Sequence, residues 1–92
     1  MDYSVIWRRH SEAAAAEVGD EVVFLHEGEA VYYGLDGVGA FVWRQLKVPR
    51  AFGDLVQAVV SEYEIDEATC RRDLTELLEA LQDKKLVQSV DS

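Results

Sequence analysis

One cysteine, Cys70, and one proline, Pro49, are all that a chain of 92 residues contains of either. A lone thiol excludes an internal disulfide and gives no sign of an oxidising compartment. Two separated histidines, His10 and His26, add too few donors for a Cys/His metal site of the usual spacing, so neither metal nor cofactor is expected. Long apolar runs are also lacking. The longest, such as Ala13–Ala16 and Val22–Leu25, are four residues, far below the roughly 20 of a membrane span. The start, Met1-Asp2-Tyr3, has neither the basic residues nor the apolar stretch of a signal peptide. These absences make a cytoplasmic protein with no membrane partner the expectation. Positive charge is scarce: 9 Lys and Arg face 18 Asp and Glu, a net charge of −9. Nucleic-acid binders gain affinity by neutralising phosphates with cations, so no nucleic-acid partner is expected. A basic or amphipathic partner suits the charge better.

What is present is material for a core. Hydrophobic residues make up 49% of the chain, enough for one folded domain over residues 1–92. Tyr3, Val5 and Trp7 alternate with polar neighbours, a weak strand signal. His10 to Glu17 is ambiguous, because its alanines favour helix by propensity. Glu21–His26 reads as a strand, Glu27-Gly28-Glu29 as a turn, and Ala30–Leu35 as the returning strand. On that arm Val31, Tyr33 and Leu35 share one face, while Ala30, Tyr32 and Gly34 share the other. Gly34 marks a bulge or a close backbone approach. Asp36 is placed to cap a helix over Gly37 to Leu46, and Phe52 to Tyr63 follows the i, i+3, i+4, i+7 rule of an amphipathic helix. Asp66 caps a last helix with the stripe Cys70, Leu74, Leu77, Leu81 and with Leu78 on its shoulder. Lys84-Lys85 ends it, and Leu86, Val87 and Val90 suit a final strand.

These elements carry little catalytic chemistry. Cys70 falls on an apolar stripe, where a buried, inert thiol is the usual outcome. Neither histidine has a nucleophile with a recognisable local signature, and no nucleophile elbow, P-loop or dinucleotide fingerprint occurs. The inventory of a short β-meander plus three helices would allow a winged helix. Its last helix, however, holds more acids than bases, which makes groove recognition electrostatically poor. Recognition of a peptide remains. The edge of a three-stranded meander invites an added strand, and Ala30–Leu35 is the candidate edge.

The order GDEVVFLHEGEAVYYGLDGVGAFVW, an amphipathic helix, then DEATCRRDLTELLEALQDKKLV resembles the PqqD-like family of leader-peptide recognition domains. These serve pathways that make ribosomally synthesised, post-translationally modified peptides. The resemblance spans about Ala14 to Val90, and within the family it is nearest the standalone recognition proteins of lasso-peptide clusters. It departs at Asp36, where an Asn is frequent, and at Leu46–Arg50, which lacks a Gly-Thr-like connection. The family places its first strand on the alanine run. The resemblance implies an α+β, winged-helix-like fold with a three-stranded antiparallel sheet followed by three helices. It further implies a non-catalytic adaptor whose partners are a precursor leader peptide and a cysteine protease acting as leader peptidase, with a cyclase admitted as a later partner. The leader would add as an antiparallel strand along Ala30, Val31, Tyr32, Tyr33, Gly34 and Leu35, against a helix wall of Cys70, Asp73, Leu74, Leu77, Leu78 and Leu81. The competing readings are a winged-helix regulator acting through protein or weak DNA contacts, and a small enzyme using Cys70.

Overall fold

The computed structural model describes residues 1–26 and 30–90, with positions 26 and 30–32 described by backbone alone. The turn expected at Glu27-Gly28-Glu29 lies outside the described residues, as do the side-chain faces expected for Ala30, Val31 and Tyr32. The elements run β1 (Ile6–Arg9), β2 (Ala15–Val18), β3 (Glu21–His26), β4 (Ala30–Leu35), α1 (Gly37–Gln45), β5 (Arg50–Ala51), α2 (Phe52–Tyr63), α3 (Glu67–Asp83) and β6 (Val87–Val90). The fold is α+β: a three-stranded antiparallel sheet ordered β2-β3-β4, followed in the chain by three helices. A second antiparallel sheet, β5-β1-β6, brings the two ends of the described chain together.

Tertiary pairing overrides local preference at the alanine run. Ala15 to Val18 lies opposite Phe24 to Glu21, and the tight turn at Gly19-Asp20 closes the pair. Gly19 takes φ 62°, a conformation that costs a residue with a Cβ ~1–2 kcal/mol. Alanine is a poor strand former, yet β2 is largely exposed and its pairing needs backbone more than side chains. Arg44 of α1 braces this hairpin through its ion pair with Glu17 at 2.8 Å.

The hydrophobic core draws on both sheets and all three helices. Trp7, Phe24, Trp43, Phe52, Leu78 and Leu81 are each at most 3% exposed. Phe24 meets Trp43 edge to face, with ring centroids 4.8 Å apart, in a geometry that aromatic quadrupoles favour. Arg9 spans the layers: its guanidinium lies over the Trp43 ring and donates to the Trp43 carbonyl at 2.8 and 3.2 Å.

Helix ends follow the expected chemistry only in part. Asp66 caps α3 by accepting the Thr69 N–H at 2.9 Å. Asp36 occupies the N-cap position of α1, but its carboxylate makes no capping bond. The C-terminus of α3 is a surprise. The Leu86 N–H donates to the Leu81 carbonyl and the Lys85 N–H to the Gln82 carbonyl, both at 2.9 Å, which is the Schellman pattern. Its left-handed residue is Lys85, at φ 59°, where glycine is usual. Lys85→Gly should therefore stabilise the protein by about 0.5–1 kcal/mol, after allowing for glycine's extra freedom in the unfolded chain. Thermal melting checks this: a Tm raised by a few degrees is expected, and an unchanged or lower Tm would show that Lys85 makes compensating contacts.

Candidate functional site

Among the described residues β4 is bonded to β3 on one side only, so its other side is a free sheet edge. Register along it is regular from Leu35, opposite Val22, to Tyr33, opposite Phe24. It then slips: Leu25 faces Val31, so Tyr32 is an extra residue with no opposite number on β3. This bulge lies two positions before Gly34, the residue that composition had pointed to, and Gly34 itself pairs regularly with Val23. A bulge in an edge strand twists it locally and interrupts regular pairing, which limits indiscriminate edge-to-edge association.

The inward side of β4 meets the helices at both ends. Leu35 is buried and packs on Gly39 of α1 so closely that a Cβ at Gly39 would stand 2.9 Å from Leu35 Cδ2. Tyr33 is half-buried, tilted against Phe24, and carries the Lys84 ammonium over its ring at 4.8 Å. That cation–π contact joins β4 to the C-terminal end of α3. Tyr33 thus meets the C-terminal end of α3, and Leu35 lies three residues before Val38, which shares a cavity with α3; the groove is the space between these two points.

The groove deepens into an apolar cavity of about 120 Å³ lined by Val38 of α1, Val59 of α2, Ile65, and Cys70, Asp73, Leu74 and Leu77 of α3. Whole-ligand pockets run to roughly 300–1,000 Å³, whereas an engineered apolar cavity of about 150 Å³ accepts a benzene. This cavity is the size of one side chain. A small-molecule substrate or cofactor would not be enclosed by it, but a single apolar anchor of a longer ligand would. Asp73, with its side chain 60% exposed, provides a carboxylate in the lining.

Cys70 forms part of the cavity wall. It is 1% exposed, and its Sγ sits 3.8 Å from the Val56 carbonyl. Burial raises the thiol pKa above its ordinary value, and the nearby carboxylates of Asp73, Glu67 and Asp66 push in the same direction. A protonated, shielded thiol reacts poorly. His10 accepts the Glu12 N–H at Nδ1, a local turn contact. Among the described residues no three His, Cys, Asp or Glu side chains converge as a metal site, and no helix is long and apolar enough to cross a membrane.

The residues singled out from the sequence thus divide. Cys70, Asp73, Leu74 and Leu77 meet at the cavity; β4 gives it no lining residue among those described, and its Leu35 packs on Gly39 of α1 while Tyr33 meets Lys84. Leu78 and Leu81 are fully buried and belong to the core. This corrects the expected order of the α3 stripe: Leu78 is the core residue, at 0% exposure, and Leu77 is the half-buried one on the shoulder. Leu77 lies about 40° and Leu78 about 60° to either side of the line through Cys70, Leu74 and Leu81, and the cavity opens on the Leu77 side. Val38, Val59 and Ile65 were not foreseen as lining. Their only signal was membership of neighbouring apolar patterns, which says nothing about a gap between helices.

The family described as "Coenzyme PQQ synthesis protein D (PqqD)" matches residues 21–87 of the sequence. A solved structure described as "TbiB1 in Complex with the TbiA(beta) Leader Peptide" is similar at a TM-score of 0.74 and 34% identity, covering 92% of this chain and 99% of that one. No curated protein matches the chain.

Proposed function

The chain belongs to the PqqD family, and from that premise we propose that it is a leader-peptide recognition protein, a non-catalytic adaptor for a ribosomally synthesised precursor. The observation that carries this reading is the free edge of β4 together with an apolar, side-chain-sized cavity shared by α1, α2 and α3. Strand addition supplies backbone hydrogen bonds with little sequence preference, and the cavity supplies selectivity by burying an anchor. An apolar anchor contributes about 1.5–3 kcal/mol when fully buried, against several kcal/mol for ordering a flexible leader. More than one anchor is therefore needed. The similar structure, TbiB1 in complex with the TbiA(beta) leader peptide, supports the reading.

In this proposal residues 1–92 act as one recognition domain, in the cytoplasm where precursors are made. The bound leader is presented to a separate cysteine protease, and a cyclase then acts on the freed segment. The leader contacts the backbone of Ala30–Leu35 and the side chains of Cys70, Asp73, Leu74 and Leu77. Leu78 and Leu81 support that wall from within the core. The DNA-binding alternative draws no support from a chain at −9.

Titration with synthetic leader segments of lasso-type precursors, TbiA(beta) among them, followed by amide hydrogen exchange, tests this. Saturable binding that slows exchange at alternate β4 amides is expected. Failure of every leader to bind, or protection confined to β2 or β6, would overturn it.

A further inference from the structure

α3 carries two stripes, and only one of them belongs to the core. Cys70, Leu74, Leu78 and Leu81 are buried. Beside them run Asp73, Leu77, Ala80 and Lys84, which at ~100° per residue lie within roughly 60° of one another around the helix. Leu77 is the half-buried cavity wall, while Asp73, Ala80 and Lys84 are exposed.

The ends of this second stripe carry opposite charges. Asp73 lines the cavity, and among the described residues its one ion pair is with its exposed chain neighbour Arg72 at 3.6 Å, a contact that solvent screens. Lys84 makes no ion pair among the described residues, although acids outnumber bases 18 to 9 in the chain. Its ammonium lies instead over the ring of Tyr33 on β4. Between the two charges stand Leu77 and the small Ala80, so nothing bulky or charged interrupts the stripe.

Eleven positions, 73 to 84, span about 16 Å of helix. An extended peptide returns to the same face every second residue, ~6.7 Å along, so residues four apart are separated by about 13 Å. Long acidic and basic side chains cover the remaining few ångströms; a spacing of six, at ~20 Å, overshoots. Direction follows from β4. It runs from the bulge towards Leu35 and α1, whose Val38 lines the cavity, and every strand pairing among the described residues is antiparallel, the slightly more stable arrangement. A strand added to β4 in that sense begins at the Asp73 end and finishes at the Lys84 end.

We infer that the groove is charge-polarised and selects an extended peptide with a basic side chain opposite Asp73 and, four residues C-terminal to it, an acidic side chain opposite Lys84. This rests on the leader-binding reading and adds to it a charge register that backbone pairing alone cannot supply. Asp73 and Lys84 are the specificity-determining residues, and binding moves the Lys84 ammonium from the Tyr33 ring to a carboxylate.

A displayed library of random linear peptides tests this when selected at low salt on three proteins: wild type, the swapped pair Asp73→Lys with Lys84→Glu, and the neutral pair Asp73→Asn with Lys84→Gln. Both positions are exposed, and the swapped and neutral proteins both lose the Lys84–Tyr33 contact, so all three should stay folded and the two variants should melt slightly below wild type. Wild type should enrich basic-then-acidic peptides, the swapped protein acidic-then-basic, and the neutral pair neither. Titrated individually, the preferred order should bind wild type about tenfold tighter than its reverse at low salt, with the ratio shrinking at high salt. Enrichment of the same order by wild type and swapped protein, or of peptides without charge order, would overturn the inference and leave leader binding standing. If none of the three proteins enriches any peptide, the leader-binding reading fails and this inference fails with it.

Discussion

Leu77→Asp is expected to weaken leader binding by about a hundredfold while the protein stays folded, and Leu78→Ala, one position along, is expected to do the reverse. Leu77 is half-buried and lines the cavity, so its replacement removes an apolar wall and sets a carboxylate against the entering anchor. The folded state loses little, because the new charge can reach solvent through the groove. Leu78 is 0% exposed and surrounded by core. Truncating a leucine there costs ~2–5 kcal/mol through lost contacts and the cavity left behind. In a domain of this size that is a large share of the ~5–15 kcal/mol available. Urea denaturation and leader titration on both variants decide the matter. Parallel losses of stability and affinity in the two variants would place Leu77 in the core and remove the cavity from recognition.

Proline at Tyr33 and at Gly34 separates the two sides of β4. Successive strand residues direct their N–H groups to opposite sides, so one of these positions donates towards β3 and the other towards the free edge. At the inward position proline removes a ladder bond and lowers the melting temperature. At the outward position it spares the β3–β4 ladder, yet deletes a donor and sets its ring in the path of an added strand. Leader affinity there should fall more than tenfold with the fold intact. Because Tyr33 also carries the Lys84 contact, Tyr33→Ala serves as the side-chain control. If both proline variants remain folded and bind as wild type does, the peptide does not pair with β4 between Tyr33 and Leu35.

Much of this protein is legible before any coordinates. β3 and β4, α2 and α3 follow from periodicity, because each buries one face and a buried face imposes its own period on the chain. The Asp66 cap is equally local: its carboxylate reaches an N–H three residues on. A net charge of −9 disfavours phosphate binding however the chain folds. A scan for residue types already made catalysis through Cys70 unattractive, since a thiol on an apolar stripe is destined for burial.

Other features belong to the tertiary structure. Ala15–Val18 becomes a strand because β3 offers a ladder, a gain from outside the segment that helix propensity cannot register. The β5-β1-β6 sheet joins Ile6–Arg9 to Val87–Val90, a pairing too distant in sequence for any window to detect. The bulge at Tyr32 depends on which residues of two strands meet, and Lys85 at φ 59° shows that a Schellman turn can form without its usual glycine. Leu77 and Leu78 mark the boundary most sharply. Their sequence pattern puts Leu77 on the apolar stripe and Leu78 on its shoulder, and so determines that α3 packs along that side. Which flank is covered depends on what stands beside the helix, and that is a property of the whole chain: the structure closes over Leu78 and leaves Leu77 facing the groove beside a free strand edge.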